Sequence, residues 1–161
     1  MSAIFDCYDL TAVGLSIDDN MRAELCAATV ENTAAAYTEF CGAVLHSDRG
    51  SQYTSDSYRA ALNEYGVRQS MNSAGGRCHD NARCESIRGL VTRMKNELFY
   101  SRGRRSTDYT TEQLKTMIWC YYMSYWNNRR IRSSIGGVPP AEKRRRYYSD
   151  KTGKPAAATM E

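Results

Sequence analysis

The sequence predicts an α/β protein, a mixed sheet covered by helices, and three observations carry that expectation. Two short β-branched or apolar runs, Ser2 to Phe5 and Thr11 to Ile17, flank the polar turn Asp6 to Asp9 and read as a hairpin. Two further short runs, Ala43 to His46 and Val67 to Met71, are separated by a stretch with a helix cap at one end and a glycine at the other. Beyond residue 80 the apolar residues recur at helical spacing.

The elements follow in order. Asp18 or Asp19 is placed to cap a helix running to about Tyr37, with Met21, Leu25, Ala28 and Asn32 as its inner line. Ser55 can cap a helix to about Tyr65, and Gly66 ends it. Asn72 to His79 is a loop around Gly75 and Gly76, after which Asp80 can cap a helix with Ile87, Val91, Met94 and Leu98 on one stripe. Glu85 lies about 160° round from Ile87 at 100° per residue, so it is expected off the core-facing side. Thr110 opens a further helix in which Leu114, Met117, Ile118, Tyr121, Tyr122 and Tyr125 read as a packing face rather than a base-stacking platform. Gly136, Gly137, Pro139 and Pro140 break the chain before a basic segment, Lys143 to Arg146. From Ser149 the composition is that of a disordered tail, giving one domain over 1–148 and a tail over 149–161.

Composition narrows the function classes. No apolar run approaches the roughly 20 residues of a membrane span, and the opening residues lack a basic segment followed by a hydrophobic one, so a cytoplasmic protein is expected. Six cysteines without paired spacing are expected as reduced thiols. Cys78, His79 and Cys84 have no second cluster to complete a four-ligand zinc set. Charge is unevenly distributed: residues 1–47 hold one Arg against seven Asp and Glu, a balance of −6, whereas residues 48–161 hold 21 Lys and Arg against 11 acids, a balance of +10. A basic portion of that size suggests a polyanionic partner such as DNA, although a solvated charged face gives the same count.

The basic portion begins inside VLHSDRGSQYTSDSY, residues 44–58, where an apolar run breaks off into His46, Ser47, Asp48, Arg49 and Gly50. A strand ending in a polar, glycine-containing turn can hold a reactive side chain at the rim of a sheet, and Asp48 can equally be a turn residue. With Glu85 in the first turn of a later helix, two acids reach a common rim, which suggests a divalent metal site.

HSDRGSQYTS at 46–55, HDNARCES at 79–86, KNELFY at 95–100 and YWNNRRIRSSIGGVPPAE at 125–142 together resemble the integrase-like catalytic domain of bacterial insertion-sequence transposases, relatives of retroviral integrases. The resemblance runs from residue 2 to about 148. It implies a ribonuclease H-like fold and DNA transposition or integration by metal-dependent phosphoryl transfer, with two Mg²⁺ or Mn²⁺ ions about 4 Å apart held by two aspartates and a glutamate. Asp48 matches the second aspartate and Glu85 the glutamate. Arg49, Gln52 and Tyr53 match positions that place phosphates or pack beneath the site. Lys95 resembles a lysine on the glutamate helix that meets the DNA backbone, here ten residues after Glu85 rather than about seven. Asn127, Arg129 and Arg130 match a tyrosine, asparagine and arginine motif; their other reading is a solvated helix end. DNA and further transposase chains, as a homo-multimer or with a full-length copy, are the implied partners.

The resemblance also departs from the family. Its first aspartate lies on a strand upstream of the hairpin that opens this chain, and neither Asp6 nor Asp9 corresponds to it. That strand is central, so the expected fold is a ribonuclease H-like mixed sheet flanked by helices and lacking its first, central strand. The chain is thus expected to be the C-terminal portion of a transposase, or one whose true start lies before Met1. A catalytically dead DNA-binding or interaction fragment that pairs with a full-length transposase is the alternative.

Overall fold

A computed structural model describes residues 1–72 and 82–152, with backbone only for 82–86, 88, 102 and 152. Strands β1 (Ser2–Phe5) and β2 (Ala12–Ser16) form the expected hairpin, antiparallel, with Ser2 opposite Ser16 and Phe5 opposite Ala12. The register slips by one residue between Ile4 and Phe5, which leaves Val13 as a bulge. Strands β3 (Val44–Ser47) and β4 (Arg68–Met71) pair in parallel, from Val44 opposite Arg68 to Ser47 opposite Met71. Among the described residues the two pairs do not join, so the sheet is split between β1 and β3. This is the arrangement expected of a mixed sheet without its central strand.

Helix α1 (Ala23–Ala36) begins later than the acid pair Asp18 and Asp19 suggested. Its N-cap is Arg22, with no side-chain capping bond, while the Asp18 carboxylate accepts the N–H of Asp19 instead. The inner line also differs. Met21 and Asn32 are exposed, and Cys26, Thr29, Val30 and Thr33 face inward. Thr29 and Thr33 donate their hydroxyls to the carbonyls of Leu25 (2.7 Å) and Thr29 (2.6 Å) one turn back, so both hydroxyls are satisfied within the helix and can be buried. An apolar-only reading of the periodicity therefore passed over them.

Gly14 on β2 lies under this face, and a Cβ there would collide with Thr33 Oγ1 and sit 3.2 Å from the Thr29 methyl. Gly14→Ala is expected to destabilise by about 1–3 kcal/mol through overpacking. Thr33→Ala in the same chain should recover part of the loss, and denaturant midpoints of the two variants check it.

Helix α2 (Asp56–Glu64) is capped as predicted, since the Tyr58 N–H donates to Ser55 Oγ at 3.3 Å. It packs on α1, and Gly66 at φ 64° reverses the chain into β4. One core, with Ile4, Val30, Tyr58 and Leu62, lies on this side of the sheet.

The second core lies on the other side, built by helix α3 (Ala82–Leu98) and helix α4 (Thr111–Trp119), which continues as a π-helix over Cys120–Trp126. Thr110 and Gln113 form a reciprocal capping box at the start of α4. The predicted stripe holds through Tyr121 and Tyr122 and then fails: Tyr125 is exposed and Trp126 is fully buried. The i to i+5 winding of a π-helix turns Trp126 onto the line of Tyr121, which a constant helical period cannot anticipate. On α3, Leu90 joins Met94 in the core, and Ile87, Val91 and Leu98 pack at its margin.

Helix α5 (Pro140–Thr152) runs through Ser149, the expected start of the tail. Residues 153–161 lie outside the described residues, as do the expected loop at Gly75 and Gly76, the Asp80 cap and the Cys78–His79 pair. Cys7, Cys26, Cys41 and Cys120 are free thiols, and no described helix is long and apolar enough to cross a membrane.

Candidate active site

Asp48 follows β3 directly and is half-buried. The Gly50 N–H donates to its Oδ1 at 2.9 Å, closing an Asx turn that turns the chain away from the sheet. The Arg49 side chain reaches across the ends of both strands, where its Nε donates to the Asn72 carbonyl at 2.6 Å. Gln69 Nε2 donates to the Tyr53 carbonyl at 2.6 Å, and the rings of Tyr53 and Tyr58 meet edge to face at 5.4 Å. The turn bearing Asp48 is therefore tied once to β4, once to Asn72 just beyond it and once to α2. A carboxylate held by this many short connections is preorganised rather than merely exposed.

Asp48 lines a cavity of about 240 Å³ with Ser2, Ser47, Tyr53, Ile87 and Val91. Ile87 and Val91 belong to α3, so the helix that carries Glu85 in its first turn passes beside the Asp48 turn. The Glu85 side chain, and with it the expectation that it points off the core, lies outside the described residues. Among the described residues no three His, Cys, Asp or Glu side chains cluster closely enough to hold a metal ion. Asp6 and Asp9 are engaged elsewhere: Arg144 Nη2 bonds Asp6 Oδ2 at 2.8 Å and Arg144 Nε bonds Asp9 Oδ2 at 2.7 Å. They hold α5 onto the hairpin turn.

The remaining predicted positions divide into two kinds. Arg49, Lys95 and Arg129 are exposed. Gln52 is half-buried beneath the Asp48 turn, and its carbonyl accepts the Ser55 hydroxyl at 2.9 Å. Asn127 is buried and its amide is committed to β2, accepting the Ala12 N–H at 2.9 Å and donating to the Ala12 carbonyl at 3.0 Å. Arg130 pairs with Glu97 at 2.7 Å, and the Tyr121 hydroxyl donates to the other Glu97 oxygen at 2.8 Å. Burial and that acidic acceptor push the Tyr121 hydroxyl well above the usual tyrosine range, so it stays a donor. Arg132 lies over the Trp126 ring at 5.1 Å. Burial, with Arg93 and Arg130 nearby, draws its guanidinium below the ordinary arginine value.

Sequence reasoning missed Glu97 and Arg144. Each is a single charged letter among many, and only the partner across the fold gives it a role.

An acid fixed at the tip of a parallel strand, beside a helix that carries a second acid in its first turn, within a split α/β sheet, fits a ribonuclease H-like fold. Residues 1–76 match the integrase core domain family. The chain is also 37% identical over 108 residues to the transposase of insertion sequence IS629 of Shigella sonnei, covering 67% of this chain and 33% of that one. It is 30% identical over 148 residues to the 31 kDa protein of insertion element IS600 of Shigella sonnei, covering 92% of this chain and 52% of that protein. The chain thus spans about half or less of these curated relatives. The HTLV-2 integrase catalytic core, solved in complex with magnesium in a trimeric form, superposes with a TM-score of 0.53 at 10% identity, covering 86% of this chain and 79% of that one. The resemblance to insertion-sequence transposases with an integrase-like core is confirmed on both sequence and fold.

Proposed function

We propose that this chain serves DNA transposition, cleaving and joining DNA strands by metal-dependent phosphoryl transfer, with Asp48 and Glu85 as ligands of Mg²⁺ or Mn²⁺. The observation that carries the reading is the Asp48 turn, pinned at the end of β3 against the helix that bears Glu85. The fit to a hard cation rests on the donor chemistry. A carboxylate has about four lone-pair sites, and the Gly50 N–H takes one of those on Asp48. Two carboxylates and water suit magnesium, which commonly keeps several waters and takes one or two protein oxygens.

When bound, such an ion activates the attacking oxygen and stabilises the leaving one. The chain's own residues do the rest. Gly50 N–H and the tie from Arg49 to Asn72 hold the Asp48 carboxylate in place, so little reorganisation accompanies ion binding. Gln52 and Tyr53 pack beneath it. Lys95 and Arg129 contact backbone phosphates as exposed point charges. Asn127 and Arg130 keep the π-helical segment seated on β2 and α3, and so set where Arg129 points. DNA and further transposase chains are the partners this reading implies.

A salt titration tests it. Log affinity for duplex DNA should fall linearly with log salt, by about 0.9 for each phosphate contacted. Lys95→Ala and Arg129→Ala should each reduce that slope by about one. A slope unchanged in both variants would remove these residues from the DNA interface, and affinity indifferent to salt would remove DNA as the partner.

A further inference from the structure

The basic segment Lys143–Arg146 takes no part in the site around Asp48, and α5 sets it against the hairpin turn instead. The arginines there are spent on local acids: Arg144 takes Asp6 and Asp9, while Arg145 and Arg146 share Glu142. Lys143 and Lys151 form no ion pair among the described residues, and each stands over an aromatic ring. With Tyr147 between them, they follow one stripe of α5 at i, i+4 and i+8, their backbone positions about 12 Å apart at 1.5 Å per residue.

Tyr8 reaches this stripe from the hairpin turn. Its ring centre lies 5.1 Å from that of Tyr147, tilted by 55°. Lys143 Nζ is 5.1 Å from the Tyr8 ring centre, and Lys151 Nζ is 4.7 Å from that of Tyr147. Rings that served only to latch the turn onto α5 would be covered, and the Arg144 pairs already join those elements. Tyr8 is instead 52% exposed, and Tyr148, whose ring meets Tyr147 at 5.5 Å, is 42% exposed.

Open rings flanked by cations suit a ligand with flat faces and a regular run of negative charge. Unpaired nucleotides carry both, and every base has a π-face to offer. A duplex keeps its base faces inside its own stack, so it can use the lysines and not the rings. An acidic peptide offers charge without a run of flat faces.

We propose that Tyr8 and Tyr147, with Lys143 and Lys151, form a platform for single-stranded DNA, the rings stacking on unpaired bases and the lysines meeting the flanking phosphates. This rests on DNA as the partner of the chain and is independent of the metal site.

The probes are a short fluorescein-labelled oligothymidine, an abasic strand of the same length and charge, and a duplex, each titrated by anisotropy into the full chain without metal. Oligothymidine should bind about tenfold or more tighter than the abasic strand, since stacking is the only difference between them. Tyr8→Leu, which keeps an apolar contact with Tyr147, should remove most of that preference, and Tyr8→Phe should keep it. Lys143→Gln should weaken both strands alike. With 5-iodouracil in the strand, light-induced crosslinks in the parent chain should map to Tyr8 or Tyr147, a readout that does not depend on how the variants fold. Equal binding of the oligothymidine and abasic strands, a preference unchanged in Tyr8→Leu, or crosslinks confined to other residues would overturn the proposal. Salt-dependent duplex binding with no preference for unpaired bases would remove this platform alone, whereas no binding of any probe would remove DNA as the partner as well.

Discussion

Trp126→Ala is expected to unfold most of the chain under mild denaturant. The side chain is 0% exposed, meets Phe5 and Tyr122 at ring separations of 6.3 Å each, and donates its indole N–H to the Leu10 carbonyl at 2.9 Å. Leu10 stands at φ 64°, a conformation unfavourable for a side chain with a Cβ, and that bond helps hold it there. Large-to-small changes at buried aromatics cost about 3–5 kcal/mol, a large share of the 5–15 kcal/mol that holds a typical domain together. Trp126→Phe keeps most of the packing and loses the hydrogen bond, so about 0.5–1.5 kcal/mol should separate it from the parent, with some further loss from the smaller ring. Equal costs for the two substitutions, measured by equilibrium denaturation, would mean that packing at this site matters little.

Arg144→Met is the second large effect. Arg144 is 16% exposed and Asp9 3%, so the pair sits largely out of water. Burial opposes the guanidinium charge, yet Asp9 and Asp6 more than offset it and hold the group above its usual value. Tyr37 lies beneath it at 5.4 Å. Removing the arginine leaves a buried carboxylate that still accepts the Thr11 N–H, and breaking a buried pair from one side costs about 3–5 kcal/mol. Asp9→Asn combined with Arg144→Met should cost clearly less than Arg144→Met alone, because the charge then left without its arginine is that of Asp6, which is 38% exposed and stays hydrated. A double variant no more stable than the single one would show that Arg144 acts through its contact with Tyr37 instead.

Both residues mark where the sequence stopped being legible. The hairpin, β3, α2 with its Ser55 cap, β4 and the Thr110 start of α4 could all be read locally, because each depends on a turn residue, a cap or a two-residue period. Trp126 could not, because the π-helical winding that buries it is a tertiary compromise between Tyr122 and β2. The threonine face of α1 was hidden by counting hydroxyls as polar when their own helix satisfies them.

The site divided in the same way. The place of Asp48 at the end of β3 was readable because a strand that breaks into a polar turn is a local signal, whereas Glu85 entered through the resemblance and its side chain lies outside the described residues. The role of Asn127 was ambiguous between a DNA contact and a helix end. The fold gives it a third task, bracketing the Ala12 backbone from 115 residues away. Glu97 and Arg144 needed partners that no spacing rule can pair.

The central claim is that one hard cation is held between the Asp48 turn and the first turn of α3. Its most direct measurement replaces that ion with Fe²⁺ in the full chain, generates hydroxyl radicals with ascorbate and peroxide, and maps the backbone cuts. The account predicts cuts clustered at residues 46–50 and 83–87, competed away by Mg²⁺ or Mn²⁺ and lost together in Asp48→Asn and in Glu85→Gln, with the folded state of both variants retained. Cuts at other positions, or cuts at these positions that persist in either variant, would contradict it.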